Sequence, residues 1–450
     1  MGIASLIVLM AMLSGCSRDE KDYDVKESNS VTAASSTRSG KMELELGWTG
    51  YAPPSLWRAV EDFNRTSTEY RVEMTELSSE EGGIGGLDKS IAEDRVPDLL
   101  LVSDDMPLES YAEKGLFEDL TDRFQEDREL QEDKLLTNVI DACRIRSRMY
   151  FVVPSFRIVA LLGKKTDFGD IKGVTVGQLE DLIREKDLNY DTAFGLVGRE
   201  SILNWLLFNS MDQYVDRETG SCSFMSASFT DLLKFAANFP AQIHYEKLDR
   251  EKFEKAEAGI RSGIQLARDV SISGFDDYLI ERYGYFGEEI ACMGYPAEGE
   301  CGPIIKTDQM LAMSRKSRGK EGCWEFLRSL YLGPYQTEVE DSFPVNKEAL
   351  HQQAEESKKA EWDGRDTSEE PIRLVHQIGT TEVKIPVLEQ QDEDEVLRIL
   401  EGLTTRWGAD PTICQIVQEE AGAFFAGKKS AEECAQIIQN RVSIYINETG

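Results

Sequence analysis

The chain has 450 residues, 41% of them hydrophobic, enough to build a core in two domains or one large two-lobed unit. With 83 acidic against 50 basic residues its net charge is −33, a surface that repels phosphate backbones and argues against nucleic acid as a partner. Three widely separated histidines (His244, His351, His376) and 8 cysteines without a C-x-x-C offer no zinc spacing, so no metal or other cofactor is expected. Setting aside Cys16, seven cysteines remain and cannot all pair. Cys292 and Cys301 flank a Gly/Pro-rich turn and could bridge, but the preferred reading is small apolar thiols in helices and strands.

In chain order, Ile3 to Leu13 is an apolar run too short to span a bilayer. It reads as a secretory signal ending at Leu13-Ser14-Gly15-Cys16, which places the body outside the cytoplasmic membrane. Ser17 to Lys41 is polar and poor in hydrophobic residues, the composition of a spacer. Met42, Leu44, Leu46 and Trp48 then alternate with Glu43, Glu45 and Gly47, a strand of period two. Pro53-Pro54-Ser55 opens a helix with Leu56, Val60 and Phe63 on one face. Tyr70 to Met74 alternates again, Leu87 and Ile91 mark a second helix, and Leu99 to Val102 is a strand apolar on both faces. A helix over about 108–114 follows. This β-α-β-α-β-α order predicts a parallel sheet.

Met149 to Leu162 reads as two strands split by Pro154. Helices and loops follow to Gly287, then Ile290 to Tyr295, a turn from Pro296 to Pro303, and Ile304 to Met313 as a second strand pair. A helix covers about 320–331, and Phe343 to Asn346 is another break. Ile372 to His376 and Val383 to Val387 suggest a surface hairpin. The clearest helices close the chain. One covers Pro411 to Ala426 with Gly427 at its C′ position, and one opens on the capping box Ser430-Ala-Glu-Glu433.

Several of these stretches resemble known families. Leu13-Ser14-Gly15-Cys16 is similar to the lipobox of bacterial lipoproteins, which implies that Cys16 is lipidated and becomes the mature N-terminus. Pro97 to Leu101 with Tyr111 to Thr121, Tyr150 to Pro154, Phe224 to Phe239, Phe343 to Val345 and Ala431 to Glu448 resemble segments of extracellular solute-binding protein family 1, the carbohydrate-type receptors of ABC importers. The resemblance implies a periplasmic-binding-protein-like α/β fold, with two lobes joined by several crossover strands (type II). Lobe one would hold about 42–152 and 306–345, lobe two about 154–304 and 346–450. It also implies a monomer, anchored by lipid to the extracytoplasmic face of the cell membrane, that binds a mono- or oligosaccharide and delivers it to the permease subunits.

Enzyme motifs are mostly missing from the sequence: there is no G-x-S-x-G, H-E-x-x-H or G-x-G-x-x-G. Gly422 to Lys429 nearly fits a phosphate loop, but Lys429 replaces the hydroxyl residue and the stretch ends a helix. Gly82 to Gly86 reads as a flexible βα loop. Sugar recognition instead needs aromatic faces against C–H surfaces and polar groups for hydroxyls. Past strand ends the candidates are Trp48, Tyr51, Asp104, Phe156, Asn204, Trp205, Tyr295, Glu298 and Trp362, with Trp48, Trp205 and Tyr295 as preferred stacking groups. Trp57 and Trp324, on amphipathic helices, are assigned to cores. Two alternatives remain from sequence: a lipid-anchored carbohydrate hydrolase or lyase, and a ligand sensor feeding a membrane kinase.

Overall fold

Alternating Leu44 and Leu46, both buried, make β1 (Met42–Trp48) the first strand of the fold. The computed structural model describes residues 40–77, 85–104, 106–216, 219–296, 301–360, 371–408 and 410–449. Cys16, Glu298 and Trp362 lie outside the described residues. The strands that follow are β2 (Tyr70–Glu76), β3 (Leu99–Val102), β4 (Phe151–Val152), β5 (Ser155–Lys164), β6 (Val215–Asp216), β7 (Ser221–Cys222), β8 (Ala267–Ile272), β9 (Ile290–Met293), β10 (Ile304–Thr307), β11 (Met310–Met313), β12 (Phe343–Pro344), β13 (Ile372–Ile378) and β14 (Thr381–Pro386).

The first sheet has the order β2-β1-β3-β11-β4, with β1 parallel to β2 and β3, and β11 antiparallel. Its helix Pro54–Thr66 carries a proline in its first turn, where no N–H is needed, and buries Leu56, Val60 and Phe63. β3 shows why a continuous apolar run was required. Leu99 and Leu101 enter one core, while Leu100 and Val102 enter another on the opposite face. The second sheet is built on the long strand β5, which pairs with β10 and β9 along one edge and with β8 and β12 along the other. It too is covered on both faces. Ile158, Ala160 and Leu162 belong to the first core, and Val159 and Leu161 to the core formed with helices Ala227–Ala237, Pro411–Phe425 and Ala431–Thr449.

Among the described residues the chain passes between the two sheets three times. It does so at Val153–Pro154, at Asp308–Gln309, and on entering β12. The run Ile304 to Met313, expected as one strand, is therefore two strands in different sheets, separated by only Asp308 and Gln309. A further segment joins them. Thr405 to Trp407 lies parallel to β10: Ile305 N donates to Thr405 O at 2.8 Å, and Trp407 N donates to Ile305 O at 2.6 Å.

Two local expectations hold at the level of single bonds. Gly427, with φ +68°, donates to Phe424 O, and Lys428 donates to Ala423 O, the Schellman ending of a helix. Ser430 and Glu433 each accept from the other's backbone N–H, closing the capping box. The hairpin β13–β14 forms, but it does not merely lie on the surface. Ile378 and Ile385 are buried, with Gly284 of the π-helix Ile280–Phe286 close to both. The seven described cysteines are all free. Among the described residues no helix is long and apolar enough to cross a membrane.

Candidate functional site

Polar groups converge where the sheets exchange strands. In an antiparallel pair, residues directly opposite share a face. Arg157 on β5 stands opposite Lys306 on β10. Two residues beyond Lys306, Asp308 lies 2.9 Å from Arg157 Nε, an ion pair whose alignment leaves that N–H without a hydrogen bond. The Arg157 side chain is 38% exposed. Burial pushes the Asp308 carboxyl up, against the pull of Arg157, and Ser342 donates to its other oxygen. The Lys306 ammonium lies 5.5 Å from the centre of the Trp407 ring, within cation–π range.

Further along the same face, β8 contributes Asp269, opposite Leu161. Desolvation raises its carboxyl to about 7, although Lys306 and Arg268 favour the charged form. Tyr295 donates its hydroxyl to Asp269 Oδ1. On the opposite face Arg268 is bonded in a fork to the buried Glu281 and stacks 3.7 Å above Tyr285.

The first sheet supplies a second group of side chains. β1 ends in Trp48, whose indole meets Trp57 edge-on with ring centres 6.3 Å apart. The indole N–H of Trp48 is buried without a hydrogen-bond partner among the described residues. Tyr51 is 72% and Trp57 43% exposed. This aromatic loop is tied to the crossing. Gln309 donates to Ser55 Oγ at 3.1 Å and accepts from the Tyr335 hydroxyl at 3.2 Å.

Asp104, at the end of β3, reaches the crossing but is fully engaged there. It accepts from Arg406 Nη1 at 2.6 Å and from Thr307 Oγ1 at 2.7 Å. Arg406 also contacts Glu109 Oε1 at 3.3 Å. Desolvation pushes the Asp104 carboxyl up, and Arg406 and Thr307 oppose it. A small recess lies between Asp104, Met106, Glu109, Arg406, Gly408 and Asp410.

The expected site residues therefore divide. Trp48 ends β1 and Tyr51 lies in the segment after it, outside any helix or strand. Phe156 is a correction: it is fully buried and its ring packs on Phe343, because even-numbered β5 positions face the first core. Tyr295 is also buried, at 1% exposure, so no open stacking face remains to it. Asn204 and Trp205 lie inside the helix Arg199–Phe208 rather than in a loop. Asn204 accepts from Gln418, and Trp205 packs on the second core. Sequence reasoning missed Lys306, Asp269 and Trp407 as site residues. It also placed Trp57 in a core, although Trp57 sits about 100° round the helix from Leu56 and escapes the buried stripe. Trp324 is buried as expected, at 8% exposure. Among the described residues no group of three or more His, Cys, Asp or Glu is placed to hold a metal ion.

No family model matches this sequence and no curated protein matches it. Solved structures do resemble its fold. The sugar-binding protein MalE from Xanthomonas citri is 12% identical, with a TM-score of 0.59 over 90% of this chain and 98% of its own. The ABC substrate-binding protein Lmo0181 from Listeria monocytogenes, solved in complex with cycloalternan, is 14% identical, with a TM-score of 0.55 over 90% and 99%. An extracellular solute-binding protein family 1 member from Alicyclobacillus acidocaldarius is 14% identical, with a TM-score of 0.54 over 90% and 98%. At such identities the likeness establishes the fold: a two-lobed, periplasmic-binding-protein-like α/β architecture with crossover strands.

Proposed function

We propose that this chain is the substrate-binding component of an ABC importer, capturing a carbohydrate at the strand crossing and handing it to a membrane permease. The observation that carries this reading is the set of unused donors at the crossing. The Trp48 indole N–H and the Arg157 Nε–H are both buried without a hydrogen-bond acceptor among the described residues, although Asp308 lies close to Arg157 as its ion-pair partner. Orphaned polar groups in a folded protein call for water or a ligand. Exposed aromatic faces at Tyr51 and Trp57 supply the apolar contact that a sugar ring needs. The fold supports the same reading, since open α/β sheets bind ligands beyond their strand ends.

In this reading each lobe is built on one sheet, the first with β11 and the second with β10 and β12, rather than divided at 306 and 345 as the sequence suggested. The lobes close on the ligand by rotation about the crossings, and the closed form is what the permease meets. No covalent step is required of the protein. The lipobox-like Leu13-Ser14-Gly15-Cys16 would hold it, as a monomer, on the outer face of the cytoplasmic membrane.

A thermal-shift screen against a glycan library, followed by mass spectrometry of the bound sugar, tests the proposal. A glycan that raises the melting temperature and is recovered unaltered supports it. Turnover of the glycan would reassign the chain to the hydrolases or lyases. Labelled fatty acid should enter the wild-type chain but not Cys16→Ala.

A further inference from the structure

The charge of the ligand can be inferred as well, on the premise that the receptor reading holds. Arg157 and Lys306 are directly opposed on paired strands, so two cations stand side by side on one sheet face. Like charges in that register repel. The chain carries 83 acidic residues, yet the two carboxylates near this pair each also accept from another side chain. Asp308 takes the Ser342 hydroxyl, and Asp269 takes the Tyr295 hydroxyl. Lys306 is exposed, has no ion-pair partner among the described residues, and is set over Trp407. Arg157 pairs with Asp308 through Nε at 2.9 Å, yet that N–H meets no acceptor in hydrogen-bond alignment among the described residues, and the side chain is 38% exposed.

The contrast with Arg406 is informative. That guanidinium lies at the same crossing and is bonded to Asp104 and close to Glu109. Arg406 donates from both terminal nitrogens to carboxylates, whereas Arg157 has Asp308 as its one ion-pair partner among the described residues.

We infer that Arg157 and Lys306 form an anion subsite that accepts a carboxylate or sulfate carried on a sugar, with Trp407 packing against the adjoining ring. A guanidinium presents parallel N–H donors that match the two oxygens of such a group, and an ammonium adds a point charge beside it. The indole face of Trp407, part of it already over Lys306, offers the apolar surface that the same residue's C–H groups would meet. The ligand class is therefore an acidic oligosaccharide, either uronate-containing or sulfated.

Calorimetry on the purified protein tests this with galacturonate and glucuronate oligomers, sulfated oligosaccharides, and neutral gluco- and xylo-oligosaccharides of equal length, at low and high salt. Binding of a uronate or a sulfated oligomer is expected, and which of the two binds identifies the anion. Affinity should fall at least tenfold in Arg157→Gln and in Lys306→Met, and should weaken as salt rises. Lys306 is exposed, so Lys306→Met should melt like the wild type and keeps the test valid even if Arg157→Gln folds poorly. A neutral oligomer bound equally well by wild type and both variants would overturn the anion subsite while leaving the receptor reading intact. So would an acidic oligomer whose affinity neither variant changes. If no glycan binds the wild type, both inferences fall.

Discussion

Two arginine–aspartate pairs meet at the strand crossing, and they are built differently. Arg406 and Asp104 have side chains only 11% and 4% exposed, and Asp104 is bonded on both oxygens. Arg157 and Asp308 are 38% and 20% exposed, and the arginine's donors are poorly used. The first pair spans a sequence separation of 302 residues and pins the segment Thr405 to Trp407 to the end of β3. The second leaves a cation facing outward. Burial sets what each pair contributes to stability: the buried one costs most to break, the half-exposed one little.

Breaking the buried pair should give the largest effect. Asp104→Ala leaves the Arg406 charge buried without its main partner, and should cost about 3–5 kcal/mol in denaturant-induced unfolding. A loss below about 1 kcal/mol would mean that Arg406 finds a substitute partner, and that the buried pair holds the fold no more firmly than the exposed one. Trp324→Ala should cost a similar or slightly smaller amount, about 3–5 kcal/mol, by opening a core cavity. Trp57→Ala, at a half-open position, should stay within about 1 kcal/mol while weakening glycan affinity. Equal losses for the two tryptophans would return Trp57 to the core.

The third test concerns pH. The Asp269 carboxyl is raised to about 7 in the folded state, whereas an unfolded aspartate titrates near about 3.9. Between those values the folded chain binds the extra proton. This contribution to stability is fully present below about pH 4 and is lost as pH rises to about 7. Asp269→Asn should therefore flatten the fall in unfolding free energy between about pH 4 and 7, and should be the more stable protein at neutral pH. An unchanged slope would mean that Asp269 is charged throughout. The smallest effect is expected for Arg157→Gln. Relief of the repulsion with Lys306 offsets the loss of a half-exposed ion pair, so stability should change by less than about 0.5 kcal/mol. A loss comparable to that of Asp104→Ala would make the two pairs equivalent.

Much of the fold was legible because its signals are local. The alternation of Leu44 and Leu46, the break at Pro154, Gly427 and the Ser430–Glu433 box each act within a few residues. β8 was not seen, since Ala267–Ile272 carries Arg268, Asp269 and Ser271 and shows no clean apolar alternation. The site was less legible than the fold. Loop aromatics such as Trp48 could be placed from strand ends, but Phe156 and Tyr295 were misjudged because their burial depends on which face of a distant strand they meet. Arg157, Lys306 and Trp407 come from three separate parts of the chain. Only the register of β5 with β10, and of β10 with the Thr405–Trp407 segment, brings them together.

The two residues between β10 and β11 have a mechanical consequence. Asp308 and Gln309 contribute four soft backbone dihedrals between two rigid sheets, so this link can act as a crank but hardly as a tether. It permits swing about a short axis and almost no sliding. Both side chains are clamped, Asp308 between Arg157 and Ser342 and Gln309 between Ser55 and Tyr335. Any turn of the crank must slip at least one clamp. If the proposed ligand draws Arg157 away from Asp308, it would loosen the axle on which closure depends, and the freedom of the two halves to turn would follow occupancy of the crossing.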